Sequence, residues 1–221
     1  MIEMIHKGNA SLEEKVYIEL QDAILSESIK KGEALTEISL SEKLGVSRTP
    51  VRSALQRLAE DGLIKIVPNR GAVVLGVTKE DILDIYRIRM RLEGLASAMA
   101  AEKMTEDMKK KLAETVELSE FYLQKNNTEN LKELDTSFHR IIYEASGSRT
   151  LARILSDLHL HTKGYRRISL AIPGRLERTT MEHREILNAI LAGDAEKADK
   201  LTSEHIEHAL ANMMTAFSEM K

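Results

Sequence analysis

Four residues in the second half of the chain carry the side chains of a metal site: Asp135, His139, His183 and His205. Asp135 and His139 are four apart, so they project from one side of a helix, beside a stripe of Leu131, Phe138, Ile142 and Ala145. His183 shares a face with Ile186, Leu187 and Ile190, and His205 lies within the stripe of Ala198, Thr202, Ala209 and Met213. Three imidazoles and a carboxylate pointing inward from three helices suit a divalent metal ion, zinc first, with nickel or manganese as alternatives. Hydrogen-bonded core histidines with an Asp–His surface pair are the competing reading, and periodicity leaves both open. His208 is placed off the face of His205 and left out. His159 and His161 flank the stripe of Leu151, Ile154, Leu155 and Leu158 and read as structural or rim residues.

Arg89 is the other unusual side chain. It projects with Ile82, Ile85, Leu92 and Ala96 toward the core, whereas Arg87 and Arg91 point outward. A buried guanidinium requires an anion. Glu93 at i+4 offers an internal salt bridge. The functional reading is a bidentate grip on the carboxylate of a small organic acid, the effector. Tyr165, Arg166 and Arg167 are further pocket candidates, or a solvated basic turn.

A different chemistry is written in residues 47–63, SRTPVRSALQRLAEDGL. Ser47 reads as a helix N-cap and Pro50 falls in the first turn, where a missing amide hydrogen costs little. Val51, Ala54, Leu55, Leu58 and Ala59 form one buried face. The outer side carries Thr49, Arg52, Ser53 and Gln56, with Arg48 at the N-terminal end. Arg pairs bidentately with guanine, and Gln with adenine, when such a helix lies in the major groove of double-stranded DNA. Gly62 ends the helix. Two strand candidates, 63–67 and 72–75, flank the turn Pro68-Asn69-Arg70-Gly71, which makes a recognition helix followed by a wing.

The elements that must position these groups are mostly helices. Residues 1–10 form an arm without periodicity. A helix is expected over 11–29, with Ser11 and Glu14 as a capping box, then a second capped by Thr36, with Gly45-Val46 turning into the recognition helix. From Thr78 onward helices are expected at 78–103, 105–125, 127–146, 148–169, 175–192 and 194–219, with no strand. The fold class is therefore mainly α, a winged helix-turn-helix over 1–77 and an all-α helical bundle over 78–221. The 221 residues suffice for two modest domains. The absence of cysteine excludes disulfides and thiolate zinc sites. With no span-length apolar run and no signal-peptide pattern, a cytoplasmic protein without membrane attachment is expected. The net charge of −3 argues against nucleic acid. Residues 47–76, however, hold Arg48, Arg52, Arg57, Lys65 and Arg70 against Glu60 and Asp61, a local +3.

From about Lys15 to Met213 the chain resembles the GntR family of bacterial transcription regulators, in the FadR-like subfamily with an FCD effector domain. The resemblance rests on Val46-Ser47-Arg48-Thr49-Pro50-Val51-Arg52, then Ala54-Leu55, Arg57-Leu58 and Asp61-Gly62-Leu63, and on the wing Pro68-Asn69-Arg70-Gly71-Ala72-Val73-Val74. Arg89-x-x-Leu92-Glu93 looks like the start of an FCD domain, and Asp135-x-x-Phe138-His139, His183 and His205 match its metal positions. Ser53 departs from the glutamate usual there. The resemblance implies a homodimer on a near-palindromic operator, contacted by Ser47, Arg48, Thr49 and Arg52, with Arg70 and Gly71 of the wing at the minor groove or backbone. It also implies a small carboxylate effector bound beside the metal. The expected function is a ligand-controlled regulator, with repression as the expected outcome. A metal-dependent enzyme fused to a DNA-binding domain, and a regulator sensing the metal itself, are the alternatives.

Overall fold

The structure is a computed structural model that describes residues 11–68, 70–76, 78–162, 169 and 172–219, the side chains of 216–219 excepted. The arm of residues 1–10, with Asn69, Val77, Tyr165, Arg166 and Arg167, lies outside the described residues. The chain divides into two compact units, Met1–Thr78 and Lys79–Lys221.

The first unit contains α1 (Leu12–Leu25), β1 (Ala34–Leu35), α2 (Glu37–Leu44), α3 (Arg48–Glu60), β2 (Ile64–Val67) and β3 (Gly71–Val74). Ser11 caps α1 by accepting the Glu14 amide at 3.2 Å. The reciprocal half of the capping box is absent, because the Glu14 carboxylate pairs with Arg57 of α3 instead. The helix ends four residues before the expected 29. Glu27 takes a positive φ of 57° and the Ile29 amide folds back to the Ala23 carbonyl. Thr36 caps α2 through the Ser39 amide, and Gly45 ends it in the left-handed conformation. Ser47 occupies the N-cap position of α3, but its hydroxyl accepts no capping bond, contrary to expectation.

Val51, Ala54, Leu55 and Leu58 are buried as the periodicity requires, and they pack α3 on α1. The wing is an antiparallel sheet of three strands in the order β1-β3-β2, with Ile64 opposite Val74 and Ile66 opposite Ala72. The two-residue β1, pairing Leu35 with Ala72, was not expected. It explains Gly71, whose φ is +85° and whose missing side chain leaves room for the Leu35 carbonyl. Gly71→Ala therefore combines a left-handed penalty of roughly 1–2 kcal/mol with a backbone collision. Chemical denaturation should show a loss of at least about 2 kcal/mol in this unit.

The second unit, among the described residues, is all helical. It comprises α4 (Lys79–Lys103), α5 (Glu106–Gln124), α6 (Thr128–Ala145), α7 (Arg149–His161), α8 (Arg175–Leu191) and α9 (Ala195–Glu219). Thr105, Asn127 and Ser148 cap α5, α6 and α7 through the amides three residues on. The expected helix over 148–169 ends at His161, where the Thr162 hydroxyl bonds back to the Leu158 and His159 carbonyls. Ile154, expected on its buried stripe, is 39% exposed. A core including Leu112, Val116, Phe138, Ile142, Leu155, Ile186, Leu187 and Ile190 joins α5, α6, α7 and α8.

The most extensive packing is between α4 and α9. Gly94 allows it, since a side chain there would overlap Asp199 and Ser203. Thr202 donates to Ser97 across the buried seam at 2.8 Å, and the Ser203 hydroxyl donates to the Met90 carbonyl. This close pairing sets His205 of α9 against the inward face of α4, where Arg89 and Glu93 lie.

Candidate metal centre and nucleic-acid surface

The structure brings all four predicted metal residues together. Asp135 and His139 come from α6, His183 from α8 and His205 from α9, and each is at least 94% buried. One donor atom from each lies within 4.8 Å of the others. Nε2 of His183 and Nε2 of His139 stand 3.7 Å and 3.9 Å from the same Asp135 oxygen, Oδ1. The His183 ring stacks on Phe138 with centroids 3.8 Å apart, which fixes its plane.

Two carboxylates behind the cluster orient the remaining rings. His139 Nδ1 is 2.9 Å from Glu93 Oε2, and His205 Nδ1 is 2.7 Å from Glu182 Oε2. An ionised carboxylate only accepts, so the hydrogen bond from His205 to Glu182 puts that imidazole's proton on Nδ1. That leaves the Nε2 lone pair free for a ligand, the arrangement found behind metal-bound histidines. Burial opposes ionisation of Glu93, but Arg89 and His139 beside it outweigh that and hold its carboxyl well below the usual range. Burial also resists the charged form of Glu182, and His205 and Arg175 reverse the balance. Burial lowers the pKa of His205 despite Glu182, which favours the neutral imidazole that a metal needs. The donor set, its burial and its orientation fit a divalent ion. Such an ion would be held by Asp135, His139, His183 and His205.

Arg89 is where the sequence places it, 1% exposed, with Nε donating to Glu93 Oε1 at 2.7 Å and Nη1 to the Thr162 hydroxyl at 3.1 Å. The internal salt bridge is therefore present. Arg89 also lines, with Asp135, His139 and His205, a cavity of about 10 Å³, room for one ion or one water. Three polar side chains that sequence reasoning missed, Ser169, Arg175 and Thr179, also line it. Arg175 and Thr179, one turn apart on α8, are 3% and 4% exposed. Arg175 Nη1 donates to Glu182 at 3.0 and 3.2 Å, while its Nε and the Thr179 hydroxyl have no hydrogen-bond partner among the described residues. His208 is exposed and donates no ligand, yet its Nδ1 lies 2.8 Å from Glu182 Oε1. It is three residues from His205, so the two share a helix face and a carboxylate, which its exclusion overlooked.

In the first unit, Ser47, Arg48, Thr49, Arg52, Gln56 and Arg70 are exposed, and Gly71 is half-buried in the sheet. The local positive charge is smaller than the window count suggests. Glu37 pairs with Arg48 and Arg52, and Glu14 with Arg57. Both partners lie outside residues 47–76, and only folding brings them in.

The comparisons with known proteins agree with this geometry. The profile of the gntR family of bacterial regulatory proteins matches residues 12–74, and that of the FCD domain matches residues 84–208. The uncharacterized HTH-type transcriptional regulator YdhC of Bacillus subtilis is 28% identical over 207 residues, which cover 93% of this chain and 92% of that protein. The HTH-type transcriptional repressor RspR of Escherichia coli is 25% identical over 194 residues, 88% of this chain and 85% of that one. The solved structure of E. coli McbR/YncC superposes with a TM-score of 0.76 at 27% identity, covering 96% of this chain and all of that one. These families are regulators rather than enzymes, which sets aside the enzyme alternative. The chain belongs to the GntR family of bacterial regulatory proteins, with an FCD domain as its helical half, and is a DNA-binding transcriptional regulator.

Proposed function

We propose that this regulator is a metal-assisted sensor of a small carboxylate. Residues 1–77 read an operator as part of a homodimer in the cytoplasm, and residues 78–221 bind effector and hold the dimer together. Repression is the expected outcome, the relative RspR being a transcriptional repressor by name. The observation that carries the reading is a cluster of four buried donors, three of which, Asp135, His139 and His205, line one small cavity whose other polar groups are cationic or hydrogen-bond donors. When bound, a divalent ion supplies positive charge that a carboxylate ligates. Arg89 supplies a second, fixed positive group beside it, and Arg175 Nε and the Thr179 hydroxyl offer unspent donors. Burial keeps water from competing for these bonds, so an acid is held more strongly than on a surface. Ser47, Arg48, Thr49, Arg52 and Gln56 form the reading surface, with Arg70 and Gly71 on the wing.

The test is a titration against an operator that the protein selects from a randomised duplex library. It uses metal-free protein and protein loaded with zinc, manganese or nickel, each with and without a panel of short carboxylates. One acid should shift operator affinity by about 5- to 150-fold, the usual range of coupling, and only in the metal-loaded protein. An affinity indifferent to every acid in every metal form overturns the reading. An affinity that follows metal alone makes the metal the signal.

A further inference from the structure

Glu37 is an acidic residue on a surface that faces a polyanion, and its place there needs a physical reason. It is the first residue of α2, and its carboxylate is half-buried at 23% exposure. It accepts three bonds from α3. Arg52 forms a two-pronged fork, Nε to Oε1 at 2.8 Å and Nη2 to Oε2 at 2.9 Å, and Arg48 adds Nη2 to Oε2 at 3.0 Å. The two arginine side chains remain 57% and 66% exposed, and the fork leaves each guanidinium with N–H groups that Glu37 does not use. The bonds to Arg52 and Arg48 push the Glu37 carboxyl down to about 2, so it stays charged over the working pH range.

An exposed ion pair contributes little to stability, so the fold does not account for this arrangement. Its effect is geometric. A free arginine carries much rotamer entropy, and binding that must first order two of them loses much of its discrimination. One carboxylate that clamps both side chains orders them before DNA arrives. We propose that Glu37 is a positioning residue for DNA recognition, holding Arg48 and Arg52 side by side so that their free N–H edges meet the bases as a fixed pair. The proposal rests on Arg48 and Arg52 lying at the DNA, as assigned above.

The cost is repulsion. Glu37 places a negative charge near phosphates, which lowers affinity for any sequence alike. Its removal should therefore move the two kinds of binding in opposite directions. Full-length wild type, Glu37→Gln, Glu37→Asp and Arg52→Ala are compared on the duplex that wild type selects from a randomised library and on a scrambled duplex, across a salt series. Glu37→Gln should bind the scrambled duplex as well as or better than wild type and lose roughly tenfold on the selected one. Glu37→Asp keeps the charge and loses the reach to both arginines. It should leave scrambled binding unchanged and still reduce discrimination.

Reselection of the library by Glu37→Gln should relax at least two base positions. An unchanged ratio of specific to nonspecific binding in both Glu37 variants overturns the proposal, as does a gain in specific affinity. Relaxation at one position alone also overturns it, because Glu37 would then be reading a base itself. If Arg52→Ala binds the selected duplex like wild type, the DNA surface itself is misassigned. Loss in Arg52→Ala with full discrimination in the Glu37 variants defeats only the role given to Glu37.

Discussion

Replacing His183 and His205 together with alanine should abolish metal binding. Wild type loaded with zinc and dialysed should carry about one metal per chain by elemental mass spectrometry, and the double variant close to none. Only Asp135 and His139, adjacent turns of α6, remain in that variant, and two ligands from one helix do not close a tetrahedral site. Zinc at 1,000 times its dissociation constant stabilises the folded form by about 4 kcal/mol. For a chain of this size that raises the melting temperature by roughly 8–16 °C. The rise should be absent from the double variant. Glu182→Gln grades the effect. It weakens the anchor of His205 without removing a ligand, so stoichiometry survives at saturating zinc while affinity falls about 10- to 100-fold. Equal zinc content in wild type and the double variant would return the histidines to the core.

The four candidate ligands were legible as a buried cluster because each sits on an amphipathic helix, where 3.6-residue periodicity tells inside from outside. Asp135 and His139 fall beside one apolar stripe, and His183 and His205 each fall within another. The same periodicity placed Arg89 inward and Ser47, Arg48, Thr49, Arg52 and Gln56 outward, since the solvent face of α3 follows from its buried one. Motif spacing then identified the wing. Helix ends were legible where a side chain caps them, as at Ser11 and Thr36, and misread where backbone conformation decides, as at Glu27.

The remainder depended on distance in sequence. Glu37 meets Arg52 across 15 residues and Glu14 meets Arg57 across 43, so no window of local charge contains both members. Strand β1 is two residues long and has no pattern of its own; it exists because the Gly71 turn offers β3 an open edge. Glu182 adjoins His183 in sequence yet serves His205 and His208, 23 and 26 residues away on another helix. Arg175 and Thr179 continue, at i, i+4 and i+8, the face of His183, Ile186 and Ile190, so their inward aim was present in the periodicity of α8 and was passed over. Partners of a metal ligand belong to the packing of helices, and the periodicity of one helix does not contain them.

Arg89→Met should cost about 3–5 kcal/mol in chemical denaturation, because it leaves the Glu93 carboxylate buried without its cation. The pair itself contributes far less than that. Desolvating two charges offsets most of their attraction, so Arg89→Met with Glu93→Leu should recover most of the loss and come within about 1 kcal/mol of wild type. Metal affinity should follow a different order. Glu93 Oε2 faces His139 Nδ1 at 2.9 Å, and its loss should weaken zinc binding about 10- to 100-fold in the double variant even as stability returns. Isothermal titration with zinc beside denaturation of the same proteins separates the two. If zinc affinity recovers along with stability, Glu93 serves only to neutralise Arg89, and the orientation of His139 comes from packing against its neighbours. If it stays low, Glu93 joins two functions. It sets a metal ligand with one oxygen and holds, with the other, the guanidinium beside the ligand cavity. A carboxylate bound at Arg89 would then compete with Glu93 for it, and the His139 ring would feel the competition through the same side chain.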